Sequence, residues 1–424
     1  MTDAACDRHL DGSTTICALP STPRSSVNHE GLLLALALGT FAVGTESFMI
    51  AAILPEIASS FRVGVPAAGQ LVTAFTLVYA LSSPILTALT ASHSRRTLLL
   101  GSLGAFLTAN LFAAAAPSYW ALMGARVLLA VAAGLYVPSA SALAGTIVHP
   151  SRRGRALAIV NGGVTVAVAL GVPAGAYLGA HFGWRSTFLG VAVLSLIAWL
   201  VLAIRLPRSE GVSHVASLLE RLAIVRLPGA LPVLVTTAIW ATGAYTVYTY
   251  VALFLSVSVG LSAEHAGMMV TVVGVAAAMG VALGGLANDR YGTRTVQAVT
   301  LPLMACAFGG LTILSVTFVP TPLFALAPLL ILWGFSAWGF FPAQQHRVIA
   351  VVGDGHASVG MSLNASFMYA GFALGAALGS IVIAAFSVHW IGAAGSICVM
   401  AAAVLSHRTW LRHPSDAQTP TILS

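Results

Sequence analysis

Two ionisable side chains stand deep inside apolar stretches of this sequence: Glu46, in GTESFMIAAIL, and Arg126, in YWALMGARVLLA. A charge in hydrocarbon costs at least about 2.5 to 3.5 kcal/mol on insertion scales, so such a residue faces a partner or a water-filled cavity. Glu46 lies eight residues before Leu54 and Arg126 seven after Tyr119. At about 1.5 Å per residue those separations are roughly 12 Å and 10 Å, measured from the same face of a membrane. The two can therefore pair. An ion pair would hold the carboxylate charged until a proton or a substrate broke it, which makes Glu46 and Arg126 the candidates for proton exchange. A purely structural pair is the bland alternative.

Other chemistry finds little support. None of the twelve histidines sits mid-span, and there is no HExxH, GxSxG or GxxxxGK[ST] and no lysine at all. A polytopic enzyme needs a clustered nucleophile and base, or metal ligands, at membrane depth. Cys6, Cys17, Cys306 and Cys398 have neither ligand nor disulfide-framework spacing. The expectation is a non-enzyme with no cofactor and no metal. Asn161 and Tyr248 are the polar and aromatic residues singled out as substrate-cavity candidates.

The elements that must position these side chains follow from composition. Only 7% of the 424 residues are charged and 58% are hydrophobic, whereas soluble domains carry about 25% charged residues. Apolar runs long enough to cross a hydrocarbon core of about 30 Å recur at 31–54, 67–89, 97–116, 119–146, 155–180, 185–205, 230–257, 265–287, 295–316, 321–345, 357–385 and 388–406. Twelve membrane-spanning helices are expected. The basic residues, all arginine, fall on one side: Arg95 and Arg96, Arg152 to Arg155, Arg205 to Arg226, Arg290 and Arg294, Arg347 and both tails. Only Arg62 and Arg185 lie opposite. The positive-inside rule then puts both termini in the cytoplasm of a bacterial inner-membrane protein. With the arginines in short loops, the formal charge of +7 is no sign of nucleic-acid binding.

The chain divides into a polar tail at 1–30, a six-helix bundle at 31–205, a linker at 206–229, a second six-helix bundle at 230–407 and a tail at 408–424. The first tail has no apolar signal-peptide core and is expected to be disordered, with an over-long start as the rival explanation. In the linker Val215, Leu218, Leu219, Leu222 and Val225 keep helical spacing, consistent with an interfacial helix or a partly ordered connector. Gly171, Gly175 and Gly179 recur 200 residues later as Gly371, Gly375 and Gly379. Small residues four apart let helix backbones approach closely. Their repetition marks two halves of one plan, an arrangement that puts a substrate cavity between the halves near the bilayer midplane.

At these residues the sequence resembles the major facilitator superfamily, and within it the drug:proton antiporter group of bacterial sugar, purine and drug exporters. The best local match, Gly285-Leu-Ala-Asn-Asp289-Arg290-Tyr-Gly292-Thr-Arg294, is similar to the superfamily's cytoplasmic loop motif G-x-x-x-D-R-x-G-R-R. The first-half copy keeps only the basic pair Arg95 and Arg96 and lacks the glycine and aspartate. The stretch Gly171-Val-Pro173-Ala-Gly175 resembles the antiporter signature of the fifth span. The resemblance implies the major facilitator fold, a gating role for the loop motif and proton-coupled efflux of a small organic molecule by a monomer. Symport or facilitated uptake by the same fold is the alternative.

Overall fold

The computed structural model describes residues 29–90, 93–149, 152–206, 223–353 and 356–412. They fold as α1 (His29–Phe61), α2 (Val65–Leu89), α3 (Arg95–Ala114), α4 (Tyr119–Ile147), α5 (Arg153–Val166), α6 (Val172–Phe182) and α7 (Trp184–Arg205), then α8 (Ala230–Tyr248), α9 (Val251–Val259), α10 (Ala263–Tyr291), α11 (Thr293–Thr317), α12 (Leu323–Val352), α13 (Ala357–Ala385) and α14 (Ile391–Arg412). Twelve stretches among them are long and apolar enough to cross a membrane. All are helical because, without water, a spanning segment must satisfy its own backbone. At the starts of α3, α4 and α10 a serine takes up a free N–H: Ser94, Ser118 and Ser262 accept from Thr97, Ala121 and His265.

Three departures from the apolar runs matter. The first helix does not stop at Leu54; it continues through Pro55 to Phe61 and so carries Glu56. The seventh span breaks after Tyr248, turns at Thr249 and Tyr250, and resumes as α9. In the fifth span a π-helical turn, Ala167–Gly171, joins α5 to α6 just before Pro173. A proline without an N–H frees a carbonyl one turn back, and a widened turn is one way to absorb that. Of the helical pattern read in the linker, only Val225 falls among the described residues. Both chain tails lie outside them, apart from the helical residues next to the first and last spans.

Each half is assembled by its glycines. A methyl group on Gly171 would overlap Thr45 of α1, one on Gly175 would come within 3.0 Å of Met49 and one on Gly179 within 2.7 Å of Ile53. In the second half, methyls on Gly371 and Gly375 would run into the α8 backbone at Ala238 and Thr242, and one on Gly379 into the Tyr250 ring. Both glycine runs thus press their helix against the first helix of their own half.

The two halves meet toward the end that carries few arginines. There Gln70 Nε2 donates to Ser380 Oγ at 3.2 Å, Ser380 Oγ donates to the Pro66 carbonyl at 3.1 Å, and Gly69 lies under the Tyr250 hydroxyl. α10 packs on α6 and the π-helical turn but makes no comparable contact with α5, the arginine-rich end of the same span. On that side Asn161, Leu283 and Leu286 are exposed, and a methyl on Gly162 or Gly285 would meet nothing within 4 Å. The molecule is therefore closed at the arginine-poor end and parted at the arginine-rich end.

Candidate functional site

The structure brings Glu46 and Arg126 together. α1 and α4 carry them to the middle of the first half, where both are fully buried and Arg126 Nη1 donates to Glu46 Oε1. Arg126 also donates through Nε to the Leu71 carbonyl at 3.3 Å, and its guanidinium lies 4.2 Å over the Phe75 ring. A guanidinium can hold a carboxylate, a carbonyl and an aromatic face at once because its donors are fixed in a plane. Glu46 Oε2 and Arg126 Nη2 remain buried without a partner among the described residues. The pair is thus incompletely satisfied, with one oxygen and one nitrogen still open to a further partner.

Two residues further along α1, roughly 200° round the helix, Phe48 points the other way. Its ring enters an aromatic box built by the second half, 6.0 to 6.4 Å from the rings of Tyr245, Tyr248, Trp338 and Phe372. Tyr245 stacks on Phe372 at 3.7 Å. These residues, with Trp240, Trp333 and the α10 residues Val270 to Ala277, line a cavity at mid-membrane depth. Phe48, Val168 and Val172 are the first half's contribution, and no acidic or basic side chain lines it. Tyr248 ties the box to the charged helix, its hydroxyl donating to the Phe48 carbonyl at 3.0 Å. α1 is therefore one rod with a buried, paired carboxylate on one face and a cavity wall on the other.

The remaining sequence candidates sit elsewhere. Asn161 is exposed and accepts from Ser141 Oγ at 3.3 Å, away from the cavity lining. In the loop motif Gly292 adopts φ 78°, which a residue with a side chain resists. Asp289, Arg290 and Arg294 are exposed, while Asn288 is the motif's buried polar residue, accepting from Thr293 at 2.9 Å. Arg290 lies 5.4 Å from the Tyr291 ring. Arg95 is buried at the start of α3, and Arg96 donates to the carbonyls of Leu206 and Ala203. A cation on the last carbonyls of α7 stabilises that helix end.

Sequence reasoning missed several residues. Phe48, Trp333 and Phe372 face the cavity, and only helix rotation, which periodicity in an all-apolar helix does not reveal, could have shown it. Arg347, read as part of a connection, is inside α12 and buried, donating to Gln297 at 3.0 Å, Ser406 at 3.1 Å and Thr409 at 2.5 Å. Gln297 in turn donates to Gln344, which donates to Thr237. The polar run Gln344-Gln-His-Arg347 was the available signal. Glu56 sits in the extended α1 with its Oε2 buried and without a hydrogen-bond partner among the described residues, so Glu46 is not the only acid within the helices.

A family model for the Major Facilitator Superfamily matches residues 36–367. The chain is 34% identical over 375 residues to the MFS-type transporter YbcL of Bacillus subtilis (strain 168), covering 87% of this chain and 94% of that protein. It is 32% identical over 353 residues to the inner membrane transport protein YdhP of Escherichia coli (strain K12), covering 83% and 89%. Among solved structures, a bacterial homolog to the human lysosomal transporter Spinster, in an inward-facing and occupied conformation, matches with a TM-score of 0.73 at 19% identity, covering 92% of this chain and 98% of that one. A match over most of the sequence, relatives aligned nearly end to end and a fold of two six-span bundles together place this multi-pass membrane protein in the major facilitator superfamily of transporters.

Proposed function

We propose that the protein exports a small organic molecule in exchange for protons by alternating access, working as a monomer in the bacterial inner membrane with both termini in the cytoplasm. One observation carries this reading: the buried Glu46–Arg126 pair and the cavity residue Phe48 share one helix. A proton on Glu46 removes the charge that balances Arg126 and strands a guanidinium in a low-dielectric site. Breaking such a pair is costly, of order 3 to 5 kcal/mol, which is ample to bias a two-state equilibrium of a few kcal/mol. The strain acts on α1, and through the Tyr248–Phe48 hydrogen bond on the cavity wall. Orientation follows the arginines, so the open end faces the cytoplasm. The loop around Gly292, at that end, acts in closure, and the Gly171-Pro173-Gly175 segment gives span five its bend.

Proton release on substrate addition tests the reading. Purified protein is first screened by thermal shift against drugs, sugars, nucleosides and amino acids, and the stabilising compound is added in weakly buffered solution. Wild type should release protons and Glu46→Gln should not, while still binding. Undiminished release from Glu46→Gln would sink the proposal. Proton movement in the same direction as the compound, in proteoliposomes with an imposed pH gradient, would replace export by symport.

A further inference from the structure

The cavity wall is unusual in what it offers a ligand. Three indoles, Trp240, Trp333 and Trp338, and the phenols of Tyr245 and Tyr248 supply its polar side-chain groups. An indole N–H donates and never accepts. Trp240 is only 2% exposed, and its Nε1 is buried with no acceptor among the described residues. Its ring packs against those of Phe340 and Phe341, at 5.1 and 6.3 Å between centroids. The Tyr248 hydroxyl is already committed to the Phe48 carbonyl. A buried donor left without an acceptor is a standing cost that a ligand can relieve. The surrounding surface is aromatic face and aliphatic side chain, with no carboxylate to balance a cation and no arginine or lysine to balance an anion. Desolvating an anion here would go uncompensated, and a cation would have only the ring faces in exchange for its water shell.

Resting on the transport reading above, we infer that the cargo is a flat, uncharged aromatic compound bearing a hydrogen-bond acceptor, a carbonyl oxygen above all, and that Trp240 Nε1 is the donor that selects it. The aromatic rings give stacking to any planar molecule. The indole N–H discriminates among planar molecules, because a molecule without an acceptor leaves it unpaired while one with a carbonyl satisfies it. Trp240 is a specificity-determining residue and takes no part in proton exchange.

Matched probes isolate the hydrogen bond. 9-Fluorenone and fluorene share one planar frame and differ at one carbon, which bears the carbonyl oxygen in 9-fluorenone; N-methylacridinium is similarly flat but permanently cationic. Each is equilibrated by dialysis against the full-length protein in lipid nanodiscs, with empty nanodiscs subtracting partition into lipid. Wild type should bind 9-fluorenone about threefold to tenfold more tightly than fluorene, the gain from one net hydrogen bond, and N-methylacridinium more weakly than either. Trp240→Phe keeps a ring but loses the N–H, and should bring the two neutral probes to within about twofold of each other while fluorene affinity holds. Equal wild-type affinities, an undiminished preference in Trp240→Phe, or tightest binding of the cation would overturn the inference. Equal wild-type affinities overturn the inference even where Trp240→Phe fails to fold, and Trp240→His, which keeps a ring N–H, should then retain the preference. Dialysis uses no gradient, so its outcome is independent of the proton-release measurement, and failure of either idea is visible without the other.

Discussion

At the scale of single residues the decisive feature is that Glu46 and Arg126 can relieve the loss of each other unequally. A carboxyl stranded by loss of Arg126 can take up a proton and become neutral, whereas a guanidinium stranded by loss of Glu46 stays charged. Glu46→Gln should therefore lower stability more than Arg126→Met, and the double variant, which leaves no charge behind, should recover a large part of the loss, on the order of 2 kcal/mol or more. Thermal unfolding of the four proteins in nanodiscs at one pH measures this as a double-mutant cycle. If the double variant is no more stable than Glu46→Gln, the pair is not the local charge balance described here. The presence of this pair was legible in the sequence because a lone acid and a lone arginine in apolar helices have few other places to go. Phe48 was not legible: it is one aromatic among many in α1 and its neighbours, and its meaning comes from the opposite half.

Helices and their contacts were the most readable level, since lipid forces every crossing segment to be helical and about 20 residues long. What the apolar runs could not show were the points where helices change character, such as α1 passing through Pro55, the turn at Thr249 and Tyr250, and the π-helical turn before Pro173. These depend on which neighbouring groups accept the freed backbone bonds. The glycine stripe, by contrast, was legible in spacing and is explained by packing. Gly171→Leu should push span five off α1 at Thr45 and lower folded yield and stability by several kcal/mol, as overpacking at a backbone contact does. Gly162→Ala, nine residues earlier on an open face, should be neutral or stabilising by up to about 1 kcal/mol. Size-exclusion profiles and thermal unfolding of the two variants would distinguish a packing stripe from a merely flexible one. Comparable losses in both would refute the assignment. Arg347, just past the expected end of its span at residue 345, was misread as part of a connection because polarity alone does not tell a loop from a helix end turned into the bundle.

For the molecule as a whole, the closed end depends on small size at one point. Gly69 of α2 lies under the Tyr250 hydroxyl, which itself donates to the Ala376 carbonyl at 2.8 Å. Any side chain at this position meets Tyr250 only while the halves are together at that end, so Gly69→Leu should destabilise the closed form selectively and shift the population toward its opposite. Spin labels at Arg62 and Val319, one on each half near that end, would report a longer mean distance in the variant than in the parent. An unchanged distribution would mean that the contact does not govern closure. Another consequence lies in how the two bundles divide their work. The buried ion pair sits in the first, and nearly the whole wall of the aromatic cavity is built by the second, with Phe48 reaching across. Such a division makes the cargo an exchangeable module. On the exchange proposed above, a hybrid that keeps the first bundle and takes its second from a relative with different appetites would inherit the donor's choice of cargo and retain the original proton coupling, so new specificities could arise in this architecture without reinventing its energy source.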